Sequence, residues 1–212
     1  MDDSLSDASL PTAETKPTTF RLFLPLLLAG LFMITGICVL IFLGREKARI
    51  IGQTITELDI QPLMLAEKPI KPEDLKGKVA VFHFWGYWSK ASLPGYPAFV
   101  ELLKQYESDP TVLFVSIANK ERTDDTSDAL AFYTQKYFTN NSIPGHPVYH
   151  DPAEYSRVQI SQLLTAGGFT YPTTLVIDGS GRVVDVWRSA ITKSTLEKAI
   201  EKAKKQTAKN GL

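Results

Sequence analysis

Two largely apolar runs, Val79–Trp85 and Val112–Ala118, set the strongest constraint on the fold. Each has the length of a strand and neither alternates with polar residues, the pattern of strands covered on both faces. Between them Phe99, Leu102, Leu103 and Tyr106 recur at i, i+3, i+4 and i+7, which gives one helix with one apolar face. A second helical segment is expected over Ala129–Phe138 and a short strand over Pro147–His150. Asp151 and Pro152 suit the N-cap and first position of a following helix. Thr173–Ile177 and Arg182–Trp187 flank Asp178, Gly179, Ser180 and Gly181, a hairpin signal. Ser194 and Glu197 have the spacing of a capping box for a terminal helix. Alternating strands and helices followed by a hairpin require a mixed sheet with helices on both faces, an α/β three-layer sandwich.

The rest of the chain divides by charge. Leu22–Leu43 contains no charged residue and is long enough as a helix to cross a bilayer core of roughly 30 Å. It is too long for the apolar region of a signal peptide and ends without a small-residue cleavage site, so a transmembrane anchor is expected. Residues 1–21, rich in Ser, Thr, Asp and Pro, read as a disordered tail, 44–56 as a linker and 57–208 as the folded domain. Lys16 and Arg21 on one side of the anchor and Arg45, Lys47 and Arg49 on the other give no strong vote on orientation.

With 23 basic and 23 acidic residues the chain has no electrostatic footprint for nucleic acid, and none is expected as a partner. Lysines of the terminal helix are interrupted by Glu197 and Glu201, the pattern of a solvated face. His83 lies inside a strand-like run, where a core histidine is the expected role. His146 and His150 are separated by Pro147 and cannot share a helical face as a metal-binding pair does, so neither metal nor cofactor is expected. No G-x-S-x-G elbow is present, which argues against serine hydrolase chemistry.

An ordered set of residues carries a family resemblance: Lys76, Gly77 and Lys78 before the first apolar run, Phe84 and Trp85 within it, then Trp88, Pro97, Tyr171–Thr174, and Ile177, Asp178, Gly181, Arg182 and Val183. In this the chain resembles the thioredoxin superfamily, specifically membrane-anchored thiol:disulfide oxidoreductases and redoxins of the TlpA-like type. The resemblance implies a Cys-x-x-Cys pair at the start of the helix after Trp88, where a helix N-terminus lowers the thiol pKa. Ser89 and Ser92 stand there instead, and Cys38, the only cysteine, falls in the apolar segment. Serine is scarcely ionised near neutral pH and cannot store oxidising equivalents as a disulfide, so intrachain dithiol exchange is excluded. Pro94 and Gly95 fall in the first turns of the implied helix, and Gly95 stands where many relatives carry a proton-transferring glutamate. The helix is therefore expected to start late, near Pro97, or to bend.

The resemblance further implies that Pro172 follows a cis peptide bond beside the redox positions, either to present backbone to a substrate peptide or for folding alone. Tyr87, Trp88, Phe169 and Tyr171 are expected to line an aromatic peptide-binding groove with Pro172. The leading expectation is a redox-inactive pseudoenzyme that binds a protein or peptide at the membrane. The alternative is an oxidoreductase acting with an external thiol. By resemblance the domain is extracytoplasmic, on the periplasmic side, with the tail in the cytoplasm.

Overall fold

The computed structural model describes residues 28–36, 49–164 and 168–211. The chain divides into two compact units, residues 1–43 and 44–212. In the first unit residues 28–36 are helical and exposed. The remainder of the expected span Leu22–Leu43, Cys38 and the tail 1–21 lie outside the described residues. Among the described residues no helix is long and apolar enough to cross a membrane.

The second unit is built on a six-stranded sheet ordered β1-β4-β3-β2-β5-β6, with β1 Gln61–Met64, β2 Val79–Trp85, β3 Val112–Ala118, β4 Val148–His150, β5 Thr173–Ile177 and β6 Val183–Trp187. Strand β2 runs parallel to β3, pairing Val79 with Val112 through to Trp85 with Ala118. On its other edge β2 runs antiparallel to β5, which continues through the 178–182 turn into β6. The sheet is therefore mixed, as the hairpin required. Among the described residues the sheet is joined by the helices α1 Tyr96–Gln105, α2 Ser127–Asn140, α3 Tyr155–Leu163 and α4 Lys193–Lys209.

The strand period of two divides β2 between two cores. Val79, Val81 and Trp85 face a cluster that includes Tyr96, Phe99, Leu130, Phe138, Leu196 and Ile200. Ala80, Phe82 and Phe84 face the other, with Ile50, Ile60, Leu75, Val115 and Ile160. All seven residues of β2 are buried, which is why the run reads as continuous. Truncating one such aromatic to alanine costs about 3–5 kcal/mol.

Three local expectations are corrected. The helix after β4 does not start at Pro152: Glu154 occupies the N-cap in a left-handed conformation, φ 58°, and α3 begins at Tyr155. Asp151 still serves that helix, since its Oδ2 accepts from the Arg157 N–H at 2.7 Å, reaching across the intervening turn. The cap of α4 is Thr192 rather than Ser194; Thr192 is extended and its Oγ1 accepts from Thr195 N–H at 3.3 Å. Finally, Ile50 and Ile55, within the stretch 44–56 assigned to a linker, are buried in the second core, and Gly52 N–H donates to Val183 O at 2.8 Å.

Candidate functional site

The ends of β2 and β3 are held together before the chain reaches the redox positions. Asn119, just after β3, donates through Nδ2 to Trp85 O at 3.1 Å and to Ile117 O at 2.9 Å, and its backbone N–H also donates to Trp85 O. Its own carbonyl accepts from Trp88 Nε1 at 3.1 Å. The Trp88 indole folds back over Gly86 so closely that a Cβ at residue 86 would lie 2.8 Å from Nε1 and Cε2. A Gly86→Ala variant is therefore expected to expel the ring, cost about 1 kcal/mol and expose the indole N–H to solvent. Faster hydrogen exchange at Trp88 Nε1 with unchanged far-UV circular dichroism is the check.

The serines follow in two tight turns. Ser89 N–H donates to Gly86 O at 3.0 Å and Ser92 N–H to Ser89 O at 2.9 Å. Leu93–Gly95 form a 3-10 turn, and the α-helix begins at Tyr96 with Pro97 in its first turn, so the late start expected from the prolines is observed. Gly95 admits Ala190, whose Cα and Cβ would be 3.2 Å from a Cβ there, so close packing leaves no room for a side chain at this position.

Both hydroxyls are engaged. Ser89, 8% exposed, donates to Tyr171 O at 3.2 Å, and Ser92, fully buried, accepts from Gly86 N–H at 3.4 Å. Neither meets a histidine. His83 Nδ1 pairs with Thr174 Oγ1 at 2.9 Å, its ring stacks on Phe99, and burial pushes its pKa down to about 3. His83 is thus the expected core histidine, although Nε2 is buried without a partner.

The peptide bond before Pro172 is cis, as the resemblance implied. Thr173 Oγ1 donates to Thr170 O at 2.7 Å and Thr170 Oγ1 to Arg188 O at 3.3 Å, fixing the loop that carries Tyr171. Trp88 and Tyr171 meet edge to face at 5.4 Å, Tyr171 and Phe169 at 5.5 Å, and Phe169 reaches the core at Phe84, 5.2 Å away. Trp88, Phe169 and Tyr171 are therefore brought together, half-buried, around a buried Pro172. Burial pushes the Tyr171 hydroxyl up to about 12 against the opposing charge of Arg157, so it stays protonated. Tyr87 is not part of this set: it turns onto α2, stacked on Tyr133 at 5.2 Å.

A buried polar chain behind the turn has no local sequence signal. His146 Nδ1 faces Pro144 O at 2.9 Å and so carries the proton, leaving Nε2 to accept from the Tyr96 hydroxyl at 2.8 Å. Tyr96 in turn accepts from Ser116 at 2.8 Å, and Ser116 accepts from Trp85 Nε1 at 3.0 Å. Both His146 nitrogens are thereby committed to protein partners. Among the described residues no group of three or more His, Cys, Asp or Glu side chains could hold a metal ion.

No protein-family model matches the chain. The crystal structure of a thiol:disulfide interchange protein of the thioredoxin family from Chlorobium tepidum TLS is similar, with a TM-score of 0.53 over 69% of this chain and 98% of the other, at 23% identity. The fold is thioredoxin-like. StoA from Bacillus subtilis, 15% identical, gives a TM-score of 0.51 over 68% of this thioredoxin-like chain and 98% of its own. A DsbF homologue from Corynebacterium diphtheriae, 21% identical, gives 0.52 over 71% and 87%. In sequence, the thioredoxin-like protein YneN of Bacillus subtilis (strain 168) is 25% identical over 133 residues, 61% of this chain and 67% of that protein. This chain has a single cysteine, Cys38, so no Cys pair stands at Ser89 and Ser92.

Proposed function

We propose that this thioredoxin-like protein is a redox-inactive binding module, anchored in a membrane by Leu22–Leu43, that holds an extended segment of a partner protein across Trp88, Phe169, Tyr171 and Pro172. The observation that carries this reading is the Ser89 hydroxyl donating to the Tyr171 carbonyl. At the position where a thiol would attack, the side chain is instead a tie between the turn and the loop that frames the groove. No base adjoins it, and a neutral hydroxyl so engaged supports shape rather than turnover. The half-buried aromatic edges beside it offer apolar area with the Tyr171 hydroxyl as a hydrogen-bonding tip, and aromatic residues of this kind are favoured in binding hot spots.

Crosslinking in native membranes tests the groove. Wild type is expected to capture a partner, and Trp88→Ala and Tyr171→Ala each to lose most of that capture, by about tenfold if the rings are hot spots. Undiminished capture by both variants would remove the groove from consideration. The placement of the domain outside the cytoplasm, with the N-terminal tail inside, is checked by protease protection in intact cells and spheroplasts. Digestion of the domain only after inner-membrane permeabilisation would reverse that orientation.

A further inference from the structure

The turn of Tyr87 away from the groove creates a second aromatic surface beside it. Tyr87 stacks on Tyr133 at an interplanar angle of 20°, and Phe132 packs edge-on against Tyr133 at 5.3 Å. Helix α2 buries Leu130, Thr134 and Phe138, whereas Phe132 is 64% and Tyr133 44% exposed. These rings are therefore on the face of α2 that the core does not use, and Tyr87 joins them directly to Trp88 in sequence.

The surface is rimmed by negative charge. Partial burial, followed by the carboxylates of Asp125 and Glu121, pushes the Tyr87 hydroxyl pKa up, which places those carboxylates in the electrostatic reach of its ring. Asp128 is exposed one helical turn before Phe132. Of the neighbouring cations, Arg122 binds Asp124 through two hydrogen bonds and also feels Asp125 and Glu121, Lys120 donates to the Pro152 carbonyl, and Lys136 is exposed one helical turn after Phe132, outnumbered there by the three carboxylates. Among the described residues no ion pair holds Glu121, Asp125 or Asp128.

We infer that the Tyr87–Tyr133–Phe132 surface is a second contact area for the bound segment, and that with its acidic rim it selects a segment in which Lys or Arg flanks aromatic or large aliphatic side chains. The inference rests on the groove reading above and adds the chemistry of the partner. Ring faces accept both apolar side chains and the guanidinium or ammonium group of a neighbouring residue. The carboxylates steer such a segment at long range and repel an acidic one, an effect that salt screens.

The test uses the full chain in a non-ionic detergent and three fluorescein-labelled hexapeptides, alternating Lys–Phe, Ser–Phe and Glu–Phe, with binding read by anisotropy. The Lys–Phe peptide is expected to bind at least about tenfold more tightly than the Glu–Phe peptide at ~0.05 M salt, with the gap closing at ~0.5 M. Tyr133→Ser is expected to weaken the Lys–Phe peptide about tenfold, and the exposed-charge variant Glu121→Gln to narrow the Lys–Phe to Glu–Phe gap. Trp88→Ala is expected to weaken all three alike. Equal binding of the three peptides, or indifference to Tyr133→Ser while Trp88→Ala still weakens them, would overturn this inference and leave the groove standing. Failure of every peptide to bind would overturn both.

Discussion

A Ser89→Cys, Ser92→Cys variant, made with Cys38→Ala, is expected to form an intrachain disulfide and to reduce insulin with dithiothreitol severalfold faster than the unaltered chain. The turn already has the geometry: Ser92 N–H donates to Ser89 O at 2.9 Å, an i to i+3 closure. Such a turn keeps its end Cα atoms within about 7 Å, overlapping the 4.4–6.8 Å of native disulfides. Ser89 is the more exposed of the two, so its replacement presents the attacking sulfur and residue 92 the resolving one. Restored activity is expected to be modest, because the segment continues as a 3-10 turn and α1 starts only at Tyr96, away from the helix N-terminus that would lower the thiol pKa. Neither single variant should turn over, since each lacks the second sulfur. Mass spectrometry after alkylation reads the disulfide and turbidity the activity. A double variant that stays reduced under oxidising glutathione would show that the turn does not bring the two positions together.

The second large effect is a loss of stability in acid. Burial lowers the pKa of all three histidines, His83 to about 3. For a base held neutral in the fold and protonated in the unfolded chain below about pH 6.5, the stabilisation is complete above that pH and is lost as pH falls toward the folded value. Asp151 acts in the opposite sense. Burial raises its pKa to about 6, so its protonated form favours the fold between about pH 6 and its ordinary value near 3.8. Three groups against one leave a net acid loss, of which His83 alone supplies on the order of 3 kcal/mol by about pH 4, at about 1.4 kcal/mol per unit. Urea unfolding of a fragment from Arg49 onward, compared near pH 7 and pH 4, measures it. His83→Phe keeps a ring against Phe99 and removes the titration, so its acid slope should flatten despite the lost Thr174 bond. An unchanged slope would place the acid sensitivity elsewhere.

What was legible in the chain follows from how local its causes are. Strands β2 and β3 announce themselves because burial on both faces leaves only one polar residue in each, His83 and Ser116, and the β5–β6 hairpin because its turn needs Asp and Gly. Strand β1 gives no such signal: Gln61–Met64 is half-buried throughout, contains Pro62 and lies on the sheet edge, where proline is tolerated. The caps expected at Asp151 and Ser194 lie a few residues from the observed helix starts, because the chain turns through a left-handed Glu154 before α3 and the Thr192 hydroxyl already caps α4. At the site, Trp88, Ser89 and Ser92 lie in the turns that follow β2, and Pro172 follows a cis peptide bond. The direction of Tyr87 depends on the loop after Gly86 and on Tyr133, far along the chain. The Trp85–Ser116–Tyr96–His146 chain is invisible for the same reason, since its members come from β2, β3, α1 and the loop before β4.

Binding without redox chemistry is tested most directly by titrating the full chain with a cysteine-free extended polypeptide, with and without dithiothreitol, alongside insulin reduction by the same preparation. Saturable binding that ignores the reductant, falls about tenfold in Trp88→Ala and comes with insulin reduction no faster than the reductant alone is the expected result. Robust thiol-dependent turnover by the unaltered chain, or binding unaffected by the loss of Trp88, would contradict it.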